Sequence, residues 1–462
     1  MLKQNRGKNI TSGNLFFGII QFAFPLFIAT LVQQLFTAAD TAIVGNFAGG
    51  SAVAAIGASA PVTSLLVGGF TGLSGGTGVV LAKYVGAKDA EKCKKTMDTA
   101  MVFAGFLGVT LMVLMLVLAV PVLRLMDSPE ECFDSAVLYL RIYMVGIPAA
   151  VIYWFAATVI RAEGDSSRPL AYIMISGTIN VVTNLILCLI LPNKVAAVAI
   201  ATVLSQFVSA TLAVTRLMRK QEGLCIFSVK TITFDFGRLG EIFRYGVPLM
   251  VATFTYPVAN LQIQPAINSY GAANLAGVTV ANNLDILGGA LQIAFNSTCV
   301  TFMAQNIGAQ NKKRTMQAFW LCGLCSVTAG LVLGLLCGRI FAKELLELFL
   351  PKYPEAVAYG EIKLLYTTAN NWLAAFNGWI SAALQALGYP AFTTVNNLIF
   401  VLGFRIIWMN FIYPANPSVE LLYSCYMVSW GMIAVFGTTV LAIVFKKPKK
   451  KERGYKLESP TK

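Results

Sequence analysis

Asp40 and Asp285 are the two of 21 acidic residues that fall clearly within, or at the mouth of, a long apolar stretch. A carboxylate at such depth costs ~3 kcal/mol on insertion scales, so it faces a partner or a wet cavity. At about 100° per residue, Gln33, Thr37 and Asp40 share one helix face, Ser176, Asn180 and Asn184 another, and Thr202, Gln206 and Ser209 a third. One carboxylate among neutral oxygen donors suits a proton or a small cation. Asp40, Asn180, Asn184 and Thr202 are therefore the candidate cation-coupling set. The second half carries its own polar stripes: Asn260, Gln264 and Asn268; Asp285, Gln292 and Asn296; Asn370, Asn377 and Ser381. Gln33, Gln264, Asp285, Gln292 and Asn377, with Asn180, are the expected polar lining of a substrate cleft. The competing reading is that these amides only join helices through hydrogen bonds, and that Asp285 sits in an interfacial turn.

Other chemistry is excluded by composition. The chain has no His, so it has no imidazole base, no Ser-His-Asp triad and no His-held metal or haem. Most of the nine Cys lie in apolar runs, and Cys322 and Cys325 form a lone CxxC inside one of them. That pair reads as small packed side chains rather than a redox or metal site. No catalytic residues, no cofactor and no metal site are expected, and the chain is not read as an enzyme.

The elements that must position these residues are membrane helices. Apolar residues are 57% of the chain even before Gly is counted, and charged residues 12%, about half the ~25% of a soluble domain. Runs long enough to cross a bilayer lie near 15–37, 52–81, 97–120, 137–160, 170–191 and 195–218, then near 246–269, 275–304, 317–338, 359–384, 392–413 and 419–445. The first is too long for a signal-peptide core and is read as a retained helix. Lys and Arg gather in the loops on one side, whereas the opposite loops hold only Arg124, Lys194, Arg339, Lys343 and Lys352. This bias predicts a multi-pass protein of the cell membrane with both termini in the cytoplasm. The net charge of +14 is mostly that topology signal. The basic tail has no aromatic residues among its lysines, so its partner is anionic lipid and not nucleic acid; no obligate protein partner is expected.

Comparing the halves reveals a repeat at an offset of 222 to 224 residues. Pro25 matches Pro248, Val85-Gly86-Ala87 matches Ile307-Gly308-Ala309, and Arg161-Ala162 with Gly164 matches Gln385-Ala386 with Gly388. Six helices per unit put both units in the same orientation, and parallel repeats of this kind are a transporter architecture. The expected organisation is an N-terminal lobe over 1–218, a cytoplasmic linker over 219–244, a C-terminal lobe over 245–445 and a tail over 446–462. Pro25 is the expected hinge of helix 1, while Pro257 and Pro265 are expected to bend helix 7. Gly68, Gly72 and Gly76 read as a close-packing face. Arg141 and Lys363 read as snorkelling side chains, and Arg405 as deep enough to need an acid or backbone carbonyls.

These residues together resemble the multidrug and toxic compound extrusion (MATE) family. The resemblance rests on Pro25 with Ala38-Ala39-Asp40-Thr41, Gly75 with Lys83-Tyr84-Val85-Gly86-Ala87, Tyr139-Leu140-Arg141, Arg161-Ala162-Glu163-Gly164-Asp165, Asn180, Ala201-Thr202 with Ser205-Gln206, and Ala304-Gln305-Asn306-Ile307-Gly308-Ala309. It implies two six-helix lobes forming a V, and export of organic, often cationic, compounds against inward flow of H⁺ or Na⁺. Two positions depart from the pattern. Asn184 stands where bacterial members often have Asp, and Tyr256 where another branch has Glu. The alternative function is a flippase for a lipid-linked precursor, which would need several basic residues in the cleft.

Overall fold

In the computed structural model, residues 10–48, 50–126, 129–219 and 224–446 are described, and among them the regular structure is entirely helical. Six long helices build the first half: α1 (Leu15–Ala48), α2 (Gly50–Gly86), α3 (Ala90–Leu125), α4 (Glu130–Ala162), α5 (Ser167–Ile190) and α6 (Lys194–Met218). The second half holds α7 (Phe236–Leu261), a short α8 (Gln264–Ser269), α9 (Gly271–Gly308), α10 (Lys312–Leu335), α11 (Ala342–Phe349), α12 (Pro354–Tyr366), α13 (Asn371–Ala386), α14 (Pro390–Asn397), α15 (Phe404–Ile407) and α16 (Val419–Lys446). Ten stretches among the described residues are long and apolar enough to cross a membrane. The remaining two of the twelve columns are α7 and the broken pair α12–α13.

The repeat is visible in the turns. Asp89 and Asn311 cap α3 and α10, accepting from the backbone N–H of Lys92 and Arg314 at 3.0 Å each. Just before them Lys88 and Gln310 both hold a left-handed φ of 57°. Gly164 and Gly388 end α4 and α13 at φ 97° and 99°, a region only glycine enters freely. Equivalent turns thus recur at the same offsets as the sequence repeat.

Several sequence boundaries move. The segment read as linker is helical from Phe236 onward, because Asp235 accepts from Gly237 and Arg238 and caps α7. The run 246–269 is not one helix: α7 stops at Leu261 and Pro265 restarts the chain as α8. The run 359–384 is broken between Tyr366 and Asn371, with a 3₁₀ turn at Thr368–Asn370. Along 392–413, two π-helical stretches, Leu398–Gly403 and Trp408–Ile412, flank the four residues of α15. The predicted tail lies outside the described residues apart from Lys446.

The lobes meet along a seam of small residues. A Cβ on Gly72 or Gly76 of α2 would strike the α7 backbone at Met250 and at Gly246, so the helices touch closely there. Gly86 and Gly308 cross in the same way, each lying where a Cβ would fall on the opposite lobe's backbone, at Gln305 and Lys83. Polar ties reinforce this closed end. Lys83 Nζ donates to Tyr245 Oη (2.9 Å), Gln305 Nε2 to the Ala162 carbonyl (2.6 Å) and Tyr84 Oη to Glu241 (2.7 Å). Arg314 donates to the carbonyls of Ile10, Ser12 and Gly13 ahead of α1. The outermost interlobe hydrogen bond among the described residues runs from Thr253 Oγ1 to the Gly68 carbonyl, 3.1 Å. Joined at one end and untied beyond Gly68, the two six-helix repeats form a V.

Candidate functional site

In the N-terminal lobe, α1 passes continuously through Pro25 and carries Asp40 beyond the seam to meet α5. α5 presents Ser176, Asn180 and Asn184 on one buried face toward α1, as their spacing predicts. Asn184, fully buried, donates from Nδ2 to Asp40 Oδ1 (3.0 Å), and its own carbonyl accepts from Cys188 Sγ at 3.3 Å. With its amide nitrogen turned to α1, Asn180 donates to both Asp40 oxygens, at 2.7 and 3.1 Å. Its other terminal atom lies 3.5 Å from Thr202 Oγ1 of α6. The four residues expected to form the coupling set are thus one connected cluster. Among the described residues it includes no Lys or Arg paired with Asp40.

This arrangement has a chemical consequence. An ionised Asp40 is satisfied by amide N–H groups. Because an amide offers a donor at one end and an acceptor at the other, turning Asn180 or Asn184 would present carbonyl oxygens instead. The same atoms can then surround a cation or accept from a protonated carboxyl group, so occupancy and local geometry are linked.

The C-terminal lobe treats its acid differently. Asp285 lies well inside α9, not in an interfacial turn, and Lys363 of α12 pairs with it at 2.9 Å. Lys363 does not snorkel: it is only 2% exposed and also donates to Asn282. Thr367 Oγ1 reaches both carboxylate oxygens (3.0 and 3.2 Å), and Thr368 donates to one of them. Consecutive residues on an unbroken helix point ~100° apart; the break after Tyr366 lets both hydroxyls meet one carboxylate.

The other expected cleft residues separate into two groups. Gln33 is exposed on α1. Gln264 is exposed on α8, where its Nε2 donates to Asn268 Oδ1 at 2.9 Å, so the predicted stripe with Asn260 does not exist. Gln292 is half-buried and donates to Asn371 Oδ1 at 2.5 Å. Asn377 is buried and donates to the Trp430 carbonyl at 3.0 Å, a bond between helices. Asn370 folds back onto the carbonyls of Leu365 and Tyr366, which removes it from the stripe with Asn377.

Sequence reasoning did not foresee Lys363 as the partner of Asp285, although Lys363 and Thr367 stand four residues apart on one helix face. It also did not foresee the surroundings of Arg405. That side chain is completely buried, donates from Nη1 to Asn260 Oδ1 (2.6 Å) and lies over the Tyr426 ring, 4.2 Å from its centroid.

Comparison with known proteins places this architecture. The Bacillus subtilis (strain 168) protein called probable multidrug resistance protein YoeA is 26% identical over 434 residues, spanning 88% of this chain and 93% of that one. A crystal structure of MATE in the straight conformation superposes with a TM-score of 0.86 at 20% identity, covering 96% of this chain and 100% of the other. An outward-facing multidrug resistance MATE transporter of the MOP superfamily gives 0.83 at 20% identity over the same shares. At these identities the structural matches establish the fold. The MatE family model matches twice, over residues 25–186 and 248–411, once in each repeat. With most of its length matched in this way, the chain belongs to the MatE family of membrane transporters.

Proposed function

We propose that this protein exports organic compounds, cationic ones among them, in exchange for H⁺ or Na⁺ by alternating access. The observation that carries the reading is Asp40: a carboxylate of α1 held by Asn180 and Asn184 and, among the described residues, by no basic side chain. A carboxylate already neutralised by Lys or Arg has little use for a cation, whereas this one lacks a counter-charge. The multidrug resistance name of its B. subtilis relative supports efflux of organic molecules. The Lys and Arg bias of the loops puts both termini, and with them the closed end of the V, in the cytoplasm. The cleft then opens outward, ready to release solute and receive the ion. Passage of the ion through the Asp40 cluster and of solute through the cleft would alternate as the seam around Gly86 and Gly308 opens and closes.

The residues do not favour a lipid-linked pyrophosphate as cargo, since Lys363 is occupied by Asp285 and Arg405 is the remaining buried cation of the C-terminal lobe. The partners of the protein are the bilayer and small organic solutes. Its chemistry is ion and solute exchange at the cell membrane, without a reaction step. The test is flux in proteoliposomes with a pH gradient or a Na⁺ gradient imposed one at a time. Solute movement driven by one of them is expected. Movement indifferent to both would refute coupling.

A further inference from the structure

Arg405 is the least compensated charge in the described part of the molecule. It is 0% exposed, yet Nε and Nη2 have no hydrogen-bond partner and no carboxylate pairs with it among the described residues. One nitrogen, Nη1, is engaged by Asn260, and the Tyr426 ring covers the guanidinium plane. An ionised side chain with unmet donors in a low-dielectric interior is strongly disfavoured unless something satisfies it in part of the working cycle. The two free nitrogens are not a random pair. Nε–H and Nη2–H lie on one edge of the guanidinium and point the same way, the geometry that receives both oxygens of a carboxylate or phosphate.

The surroundings show where such a group would come from. Thr253 and Asn260 are seven residues apart on α7, within ~20° of the same face. At Thr253 that face touches α2 at Gly68. Extended past this tie, the same face is directed toward the untied part between the lobes, and Asn260 is exposed on α7 while Arg405 lies buried behind it. Asn260 Oδ1 is held by Arg405 and by Tyr426 Oη (3.2 Å), so it sits between the cation and the cleft. Arg405 itself stands on α15 between two π-helical stretches, rare geometry that recurs at functional sites.

We propose that the Nε/Nη2 edge of Arg405 receives a carboxylate or phosphate group of solutes carried through the cleft, reached by displacing Asn260. This rests on the reading of the chain as a solute exporter and adds that its cargo includes molecules with an acidic group, alone or with an ammonium group. Equilibrium binding tests it without requiring ion coupling, so failure here and failure of coupled flux are separate results.

The purified full chain in dodecyl maltoside, in chloride-free gluconate buffer, would be titrated with two aromatic probes of similar size, 1-naphthoate and 1-naphthylmethylammonium. Naphthoate is expected to bind. R405Q should weaken it at least tenfold while changing the ammonium probe less than twofold, and R405K should give an intermediate value. N260D keeps Arg405 but supplies it with a neighbouring carboxylate; it should also expel naphthoate at least tenfold and guards against misfolding of R405Q. Inorganic phosphate should compete. The proposal is overturned if wild type ignores naphthoate, if R405Q and N260D bind it as wild type does, or if only added phosphatidylglycerol or chloride depends on Arg405.

Discussion

Asp40 in the N-terminal lobe and Asp285 in the C-terminal lobe are both half-buried on long helices, and they are satisfied by opposite means. Asp40 is held by two amides, Asn180 and Asn184. Asp285 is held by an ammonium group, Lys363, and two hydroxyls. The two acids are not equivalent positions of the repeat, since they lie 245 residues apart against an offset of 222 to 224, and in each lobe the partner decides what the acid can do. Amides satisfy a carboxylate without cancelling its charge, so Asp40 remains able to take a proton or a metal cation. Lys363 already provides Asp285 with a cation, and the C-terminal site is closed to another. The expectation that Asp285 contacts substrate gives way, in this conformation, to a pair tying α9 to α12.

The largest effect is expected at Asp40. Asp40→Asn keeps the size and removes the charge, and gradient-driven export in proteoliposomes should fall to the protein-free level while the transporter remains in the membrane. Wild-type export with unchanged coupling would move the role elsewhere. For Asp285 the expected loss is of stability first. Asp285→Asn strands a buried ammonium and should cost about 3–5 kcal/mol, read as a lower melting temperature in detergent. The double variant Asp285→Asn with Lys363→Met should recover most of that loss. If the single variant melts like wild type, the pair is not holding the lobe together.

A smaller effect is expected at the seam, where the repeats remain equivalent. Gly86→Ala and Gly308→Ala each place a methyl group against the opposite lobe's backbone and should disfavour the closed end by about 1–3 kcal/mol. Spin-label distances between Lys94 and Lys313 positions should lengthen in both variants by similar amounts; a response in one alone would show that the seam is not symmetric. The smallest change sharpens the N-terminal site. A second acid at Asn184→Asp, next to Asp40, adds about 1–4 kcal/mol of attraction for a cation at ~4 Å, depending on the local dielectric. The H⁺ or Na⁺ concentration for half-maximal export should therefore drop by about fivefold or more. An unchanged midpoint would mean that residue 184 does not face the ion.

Sequence and structure agree best where periodicity is local. The face shared by Ser176, Asn180 and Asn184 needs only an uninterrupted α5, and that helix is uninterrupted. The same reasoning fails for Asn260 with Gln264 and for Asn370 with Asn377, because each stripe crosses a break, after Leu261 and after Tyr366. Pro265 hinted at the first break. Nothing comparable marks the second, since Thr367-Thr368-Ala369-Asn370 contains neither Pro nor Gly.

By itself the sequence determined the membrane setting, the doubled six-helix plan and the isolation of Asp40. Hydrophobic length, loop charge and repeat offset are additive along the chain and do not depend on which helices touch. Partners are not additive. Whether Asp285 meets Lys363, whether Gly86 crosses Gly308, and whether Arg405 finds an acid or only Asn260 depends on packing between residues far apart in the chain. Only the tertiary structure settles those, because in a low-dielectric interior the meaning of a charge lies in the atoms within hydrogen-bonding distance of it.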